Sequence, residues 1–258
     1  MSPRCIAACV AVSIPLSMVG SHASAGSNLL RNPSFEDIPG PAFGEGILPS
    51  EWTVIQVTPD TYSTDGGYGL PPSIFGNFTG VLAHSGVRWI AGWSLAVEVP
   101  GQLLTAPLVP GMSYRLSGYV HQAQRADLAH PGAYELRLAA GPSLATTVVL
   151  GSWAPTATPD QWEYRSIDFV APPEAATYQW LLLVPFATDA GSAYPGVDDV
   201  ALVELACPTD LDGDGQVGAA DLAILLGAWG GKGAADLDNS GTVDASDLAI
   251  LLGAWGPC

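Results

Sequence analysis

A near-identical block occurs twice at the C-terminal end of the chain. Residues 210–230 read DLDGDGQVGAADLAILLGAWG, and residues 236–256, 26 positions on, read DLDNSGTVDASDLAILLGAWG. Each copy is an acidic, glycine-containing stretch followed by one apolar segment of helical period. Leu222, Leu225, Leu226 and Trp229 fall at i, i+3, i+4 and i+7, and Leu248, Leu251, Leu252 and Trp255 repeat that stripe. A helix shorter than about 12–15 residues is marginal alone in water. Each stripe therefore needs the other as cover, and the expected product is a helix pair related by a pseudo-two-fold axis. The stripes are read as core, and Val217 and Val243 are placed to pair with each other as a short bridge.

The acidic stretches have the spacing of a 12-residue calcium loop. In the first, Asp210, Asp212 and Asp214 stand at positions 1, 3 and 5, Gly215 makes the turn at 6, Gln216 offers its carbonyl at 7 and Asp221 closes the loop at 12. In the second, those places hold Asp236, Asp238, Ser240, Gly241, Thr242 and Asp247, with Asp244 at 9. A hard dication takes six to eight oxygens, and this alternation turns every second side chain inward to supply them. Eight aspartates in residues 207–258 face only Lys232, the one lysine of the chain. The expectation is two Ca2+, one per loop; a pair of acidic turns capping the helices is the alternative.

Loop, helix, linker, loop, helix, with Asp rather than Glu at position 12, resembles the type I dockerin module of polysaccharide-degrading bacteria. The resemblance covers residues 208–258. It implies that loop positions 10 and 11 and the helix starts, here Ala219, Ala220, Ala245 and Ser246, contact a cohesin-like domain on a scaffold or cell surface. Only Ser246 is hydroxylated, where many members of that family carry a Ser-Thr pair. A module serving as a calcium-clamped terminus or surface attachment is the alternative.

Residues 1–25 read as a cleaved signal peptide. A short positive start is followed by an uncharged apolar run at 6–19 and by Ala23-Ser24-Ala25, the small-residue pattern of a signal-peptidase site. Cys5 and Cys9 leave with it. In an exported protein the remaining pair, Cys207 and Cys258, is expected as a disulfide. It would close the whole repeat into a ring, a constraint of about 4 kcal/mol on the unfolded chain. Two free thiols are the alternative.

Residues 26–206 have no strong helical period. Gly 30 and Pro 22 in 258 residues suit a turn-rich β domain. Strand-like runs recur at 52–58, 87–99, 113–124, 134–140, 146–150, 164–170, 178–184 and 200–205, the pattern of an antiparallel sandwich or barrel. In the run 113–124, Tyr114, Leu116, Gly118 and Val120 share the face expected toward the core. Arg115, Ser117, Tyr119 and His121 share the opposite face.

The ends of this unit, residues 28–36 (NLLRNPSFE) with Trp52 and residues 197–202 (VDDVAL), resemble the first and last strands of jelly-roll carbohydrate-binding modules and of galactose-binding-like domains of exported proteins. The resemblance spans residues 28–205. It implies that the first and last strands lie side by side and share a structural calcium, with Glu36 and one of Asp198 or Asp199 as its carboxylates. Solvated surface acids are the alternative. Sugar binding needs an aromatic platform with polar side chains around it. Arg115, Tyr119 and His121 are the candidates because the alternation turns them outward, although a solvated face explains them equally. Trp52 and Trp162 read as core; Trp89 and Trp93 could be either.

With Lys+Arg 8 against Asp+Glu 25 and a net charge of −17, the chain would be repelled by phosphate backbones and anionic lipid. Calcium and neutral polymers remain as partners, and no segment after the signal could insert in a membrane. Catalytic signatures such as G-x-S-x-G, H-E-x-x-H, the P-loop and G-x-G-x-x-G do not occur. The reading is a mainly β protein, secreted or cell-surface associated in a bacterium. An antiparallel jelly-roll β-sandwich at 26–206 precedes a small all-α, calcium-binding dockerin-like domain at 207–258. Its expected function is non-catalytic: it holds a polysaccharide or cell-surface glycan. A structural or adhesive protein without a sugar ligand, or a polysaccharide-active hydrolase with a carboxylate pair converging from distant strands, are the alternatives.

Overall fold

A computed structural model describes residues 26–40, 43–64, 81–122, 130–159 and 161–258. The signal-peptide reading of residues 1–25, with Cys5 and Cys9, lies outside them. Ten strands form two antiparallel sheets. They are β1 (Trp52–Gln56), β2 (Asp60–Ser63), β3 (Arg88–Ala91), β4 (Val99–Leu103), β5 (Ser113–Gln122), β6 (Gly132–Ala139), β7 (Thr147–Ser152), β8 (Glu163–Val170), β9 (Trp180–Ala187) and β10 (Pro195–Glu204). One sheet runs β1-β4-β9-β6-β7 and the other β2-β3-β10-β5-β8, so the chain crosses repeatedly between layers in the manner of a jelly roll. Leu116, Val120, Val197 and Leu202 of one sheet meet Leu136, Leu138, Leu181 and Leu183 of the other in the main core. Each such side chain, fully buried, contributes about 1.5–3 kcal/mol.

The first segment lies along the last strand. Leu29 N–H donates to Leu202 O (2.8 Å), Val200 N–H donates to Pro33 O (2.9 Å), and the Asn28 side chain bonds Val200 O (3.2 Å) and Leu202 N–H (3.0 Å). Trp52 is core as expected, packed on Phe35 with ring centroids 5.1 Å apart.

One strand reading needs correction, and one strand escaped the sequence reading. The run 87–99 is not one strand: β3 and β4 belong to opposite sheets, joined by a tight turn in which Glu98 N–H returns to Trp93 O (3.1 Å). Gly92 makes the turn feasible, since a Cβ there would lie 2.5 Å from Glu98 O. Strand β2 shows no alternation in its sequence because all four of its residues are buried.

The C-terminal unit contains β11 (Gln216–Val217), α1 (Ala219–Gly227), α2 (Ala245–Gly253) and β12 (Gly256–Pro257). Its small core holds Val217, Leu225, Ala235, Val243 and Leu251. Cys207 and Cys258 are bonded, with Cα atoms 5.8 Å apart. The pseudo-two-fold pair is present, but Val217 and Val243 do not pair with each other. Val217 pairs with Gly256, and Val243 bonds Gly230 and Gly231 at 2.8 and 2.9 Å, the equivalent partners 26 residues apart. The stripes are only partly core. Leu225 and Leu251 are fully buried, while Leu226 and Leu252 are each 51% exposed, and Trp229 and Trp255 are 49% and 50% exposed. Two nine-residue helices fully enclose one central leucine each; Leu222 and Leu248 pack at the margin of the core, and the last turns stay on the surface.

Glu98 supplies a pH handle on the sandwich. Its carboxylate accepts Trp93 N–H (2.8 Å) and the Thr58 hydroxyl (3.4 Å), and burial pushes its pKa from 4.5 to about 7. A carboxyl whose folded pKa is raised favours the folded state when protonated, so stability is lost as pH rises from about 4.5 to about 7. We expect a fall of about 2 kcal/mol across that window, read by denaturant titration. Glu98→Gln should make the profile shallower, leaving the part that buried Asp198 contributes; an unchanged pH profile in that variant would remove Glu98 as a cause.

Candidate functional site

The outer face of the β2-β3-β10-β5-β8 sheet carries two kinds of surface. Over β2, β3 and β10 it is roofed: Tyr62, Trp89, Ala91 and Tyr194 pack with Val81, Ala83, Trp93 and Trp162 in a second apolar cluster. Trp162 donates from Nε1 to Leu82 O (2.8 Å), and its ring stands edge-on to His121 (4.9 Å) and Trp89 (6.3 Å). Trp162 therefore roofs this face and is not part of the central core, and Trp89 is fully buried beneath the roof.

Over β5 and β8 the face opens. The register sets Arg115 beside Asp168, Ser117 beside Ser166 and Tyr119 beside Tyr164. Arg115 grips Asp168 through Nε and Nη2, both at 2.7 Å; that hydrogen-bonded pair raises the guanidinium and lowers the carboxyl. Tyr119 and Tyr164 meet edge to face at 5.5 Å. Tyr164 is 50% exposed.

The three sequence candidates separate here. Arg115 faces solvent as expected but is committed to Asp168. Tyr119 is half-buried, and one face of its ring is covered by the imidazole of His84, stacked at 3.4 Å. His121 is 0% exposed, and burial pushes its pKa down to about 3, so it is neutral and takes no part in an open platform. Alternation correctly assigned the face of each residue, but it carries no information on whether another layer covers that face. The aromatic that sequence reasoning missed is Tyr164. The same alternation could have found it, since Ile167 and Phe169 pack on the core while Tyr164, Ser166 and Asp168 are exposed.

Glu36, Asp198 and Asp199 all address the corner 84–88 that leads into β3. Glu36 Oε1 accepts Val87 N–H and Arg88 N–H, both at 2.8 Å, and Oε2 faces the Arg88 guanidinium at 3.3 Å. Asp198 accepts Ser85 N–H (3.1 Å) and Asp199 N–H (2.7 Å), and burial raises its pKa to about 8. Asp199 lies in the β10 bulge with φ 50; it accepts the Ser85 hydroxyl and faces His84 Nδ1, both at 2.6 Å.

In the C-terminal unit the acidic loops are two copies of one arrangement. Asp210 accepts Gly213 N–H (2.8 Å) and Gly215 N–H (2.9 Å); Asp236 accepts Ser240 N–H (3.0 Å) and Gly241 N–H (2.8 Å). Gly215 and Gly241 turn at φ 88 and 97. Ligand oxygens of Asp210, Asp212 and Asp214, and those of Asp236, Asp238 and Asp247, lie within 4.8 Å of one another. Opposite oxygens around an ion at about 2.3–2.6 Å are separated by about that distance, so both sets fit a calcium ion. Ser240 Oγ is turned to Thr242 O (3.2 Å), and Asp244 caps α2 by accepting Ser246 N–H (2.7 Å). Gln216 lies in β11. Ala219, Ala220, Ala245 and Ser246 are exposed at the helix starts.

Asp221 and Asp247 are buried and serve their loops as backbone acceptors. Asp221 accepts Leu211, Asp212 and Gly218 N–H at 2.7, 3.2 and 2.7 Å; Asp247 accepts Leu237, Asp238 and Asp244 N–H at 2.6, 3.0 and 2.8 Å. Burial works to raise Asp221, but these amides outweigh it and hold the carboxyl below its usual range. Both residues thus carry a structural role apart from any ion. In EGTA, Asp221→Ala should lower the melting temperature of this unit by about 5 °C. Differential scanning calorimetry of the full chain checks this, with Asp214→Ala expected to change little.

No protein-family model matches the sequence, and no curated protein matches it. Among solved structures, a Stig cyclase from Fischerella sp. TAU is 16% identical, with 71% of this chain and 100% of that chain covered at a TM-score of 0.48. The CBM22-1 xylan-binding domain of a Paenibacillus barcinonensis protein is 19% identical, covering 72% and 99% at 0.42. A family 61 carbohydrate-binding module in complex with β-1,4-galactotriose is 16% identical, covering 69% and 99% at 0.39. The likeness is one of fold.

Proposed function

We propose that this chain is an exported, non-catalytic glycan-binding protein. Its sandwich holds an uncharged polysaccharide on the open outer face of β5 and β8, and its C-terminal unit, stabilised by two Ca2+, attaches it to a cell surface or extracellular complex. The observation that carries the sugar reading is Tyr164, exposed beside Ser166 and the Arg115–Asp168 pair. An aromatic ring offers the apolar face on which a pyranose stacks, and the hydroxyl, carboxylate and guanidinium offer partners for its hydroxyls. The two buried carboxylates with raised pKa values do not support a hydrolase: Glu98 and Asp198 are 7% and 0% exposed and serve backbone amides.

The attachment reading rests on the helix surfaces. Ile224, Leu226 and Trp229, with Ile250, Leu252 and Trp255, leave a duplicated apolar surface outside the small core, close in sequence to exposed Ala219, Ala220, Ala245 and Ser246. A cohesin-like domain is the partner such a surface suits.

Affinity electrophoresis of the full chain in gels of xylan, galactan and β-glucan tests the first part. At least one should retard it, and Tyr164→Ala should weaken retardation about tenfold or more without moving the melting temperature. Tyr119→Ala should instead destabilise the sandwich, because His84 rests on that ring. No retardation in any neutral gel would leave a structural or adhesive role. Isothermal titration calorimetry tests the second part: the full chain should bind two Ca2+, and Asp210→Ala and Asp236→Ala should each bind one.

A further inference from the structure

The jelly-roll resemblance implies a calcium between Glu36 and Asp198 or Asp199, and the side chains present do not fit one. Every carboxylate oxygen of the three residues faces a donor of the corner 84–88 or of the bulge itself; the loop aspartates also accept amides, but residues 207–258 contain no arginine to stand opposite them, and their oxygens converge. Glu36 Oε1 accepts two amides at 2.8 Å and Oε2 faces Arg88 Nη1 at 3.3 Å. Asp198 Oδ2 accepts Ser85 N–H and Oδ1 accepts Asp199 N–H, at 3.1 and 2.7 Å. Asp199 Oδ1 accepts the Ser85 hydroxyl and Oδ2 accepts from His84 Nδ1, both at 2.6 Å. Among the described residues, clusters of three or more ligand atoms within 4.8 Å occur only in the two C-terminal loops.

The backbone is shaped around these contacts. Gly86 has φ 59, and a Cβ there would lie 2.3 Å from Glu36 Oε1, so the corner closes on the carboxylate only because residue 86 lacks a side chain. Asp199 holds a left-handed φ of 50, uncommon for a non-glycine residue, in the bulge that turns its side chain to His84 and Ser85. Arg88, with a side chain 14% exposed, brings a fixed positive charge to the place where the resemblance puts a cation.

We infer that this corner is locked by the chain's own donors, with the Arg88 guanidinium opposite Glu36 and the His84–Ser85 pair opposite Asp199 standing in for a metal ion. The consequence is a division of labour. The sandwich keeps its stability without calcium, while the C-terminal unit gains stability from calcium.

The test uses the full chain carrying Asp210→Ala and Asp236→Ala, which silences both loops. Its sandwich transition should melt at the same temperature in millimolar calcium and in EGTA. A calcium ion bound at the corner at a hundred times its Kd would raise that temperature by about 5–10 °C, and such a rise would overturn the inference. Adding Arg88→Gln should lower the transition by about 4 °C or more, with Arg88→Lys recovering part of the loss; an Arg88→Gln variant as stable as its parent would also overturn it. Should these variants not fold, amide hydrogen exchange on the unmodified chain decides. Protection at Ser85, Val87 and Arg88 should be equal with and without calcium, and calcium-dependent protection there would refute the lock.

Discussion

Strand β10 has both edges occupied along most of its length, and the rest of the sandwich is arranged around that. On one edge it pairs with β5. On the other, its first residues pair with β3, and below them Val200 and Leu202 hold the segment from Asn28 to Pro33. The first and last parts of the sandwich are thus stitched by backbone bonds whose partners are about 170 residues apart. The bulge between Asp198 and Ala201 interrupts this ladder at one place, where Asp198 and Asp199 reach the corner before β3. Buried polar groups are costly unless bonded, so the corner, the bulge and Glu36 depend on one another for their conformations.

The C-terminal unit meets the opposite difficulty. Its core is small and its charge is strongly negative, with eight aspartates against one lysine. Three things compensate. The disulfide ties its ends, the loop carboxylates are spent on backbone amides that would otherwise lack partners at the helix starts, and the repeated β-bridges stitch each loop to the segment after the other helix. It follows β10 almost directly: Leu205 N–H still bonds Ser113 O, and Gly215 packs against Gly111 and Met112 of the turn before β5. The first acidic loop therefore rests on the sandwich.

Both units leave apolar or aromatic groups exposed where a small fold lacks a further layer to cover them. On the sandwich, the strap carrying Val81, Ala83 and His84, with Trp162, roofs one half of the outer face and stops at Tyr119, so Tyr164 stands at the edge of the roof. The exposed β5–β8 face and the buried aromatic cluster are consequently neighbours on one surface of one sheet.

Local spacing was enough to read the two acidic loops, the disulfide partners, the antiparallel sandwich, and which residues of β5 share a face. These follow from periods of two and 3.6 and from turn chemistry, which depend on near neighbours in the chain. The sequence could not show that the run 87–99 divides between two sheets, that β2 is covered on both faces, or that Val217 and Val243 pair with Gly256 and Gly230 rather than with each other. Nor could it show that His121 is sealed under Trp162 while Tyr164 stays open, or that Arg88 meets Glu36. Each of these is a question of which distant element lies over a given face, and only packing of the whole chain answers it. A residue's direction is set by its own strand, while its exposure and its partners are set by segments from 13 to about 170 positions away.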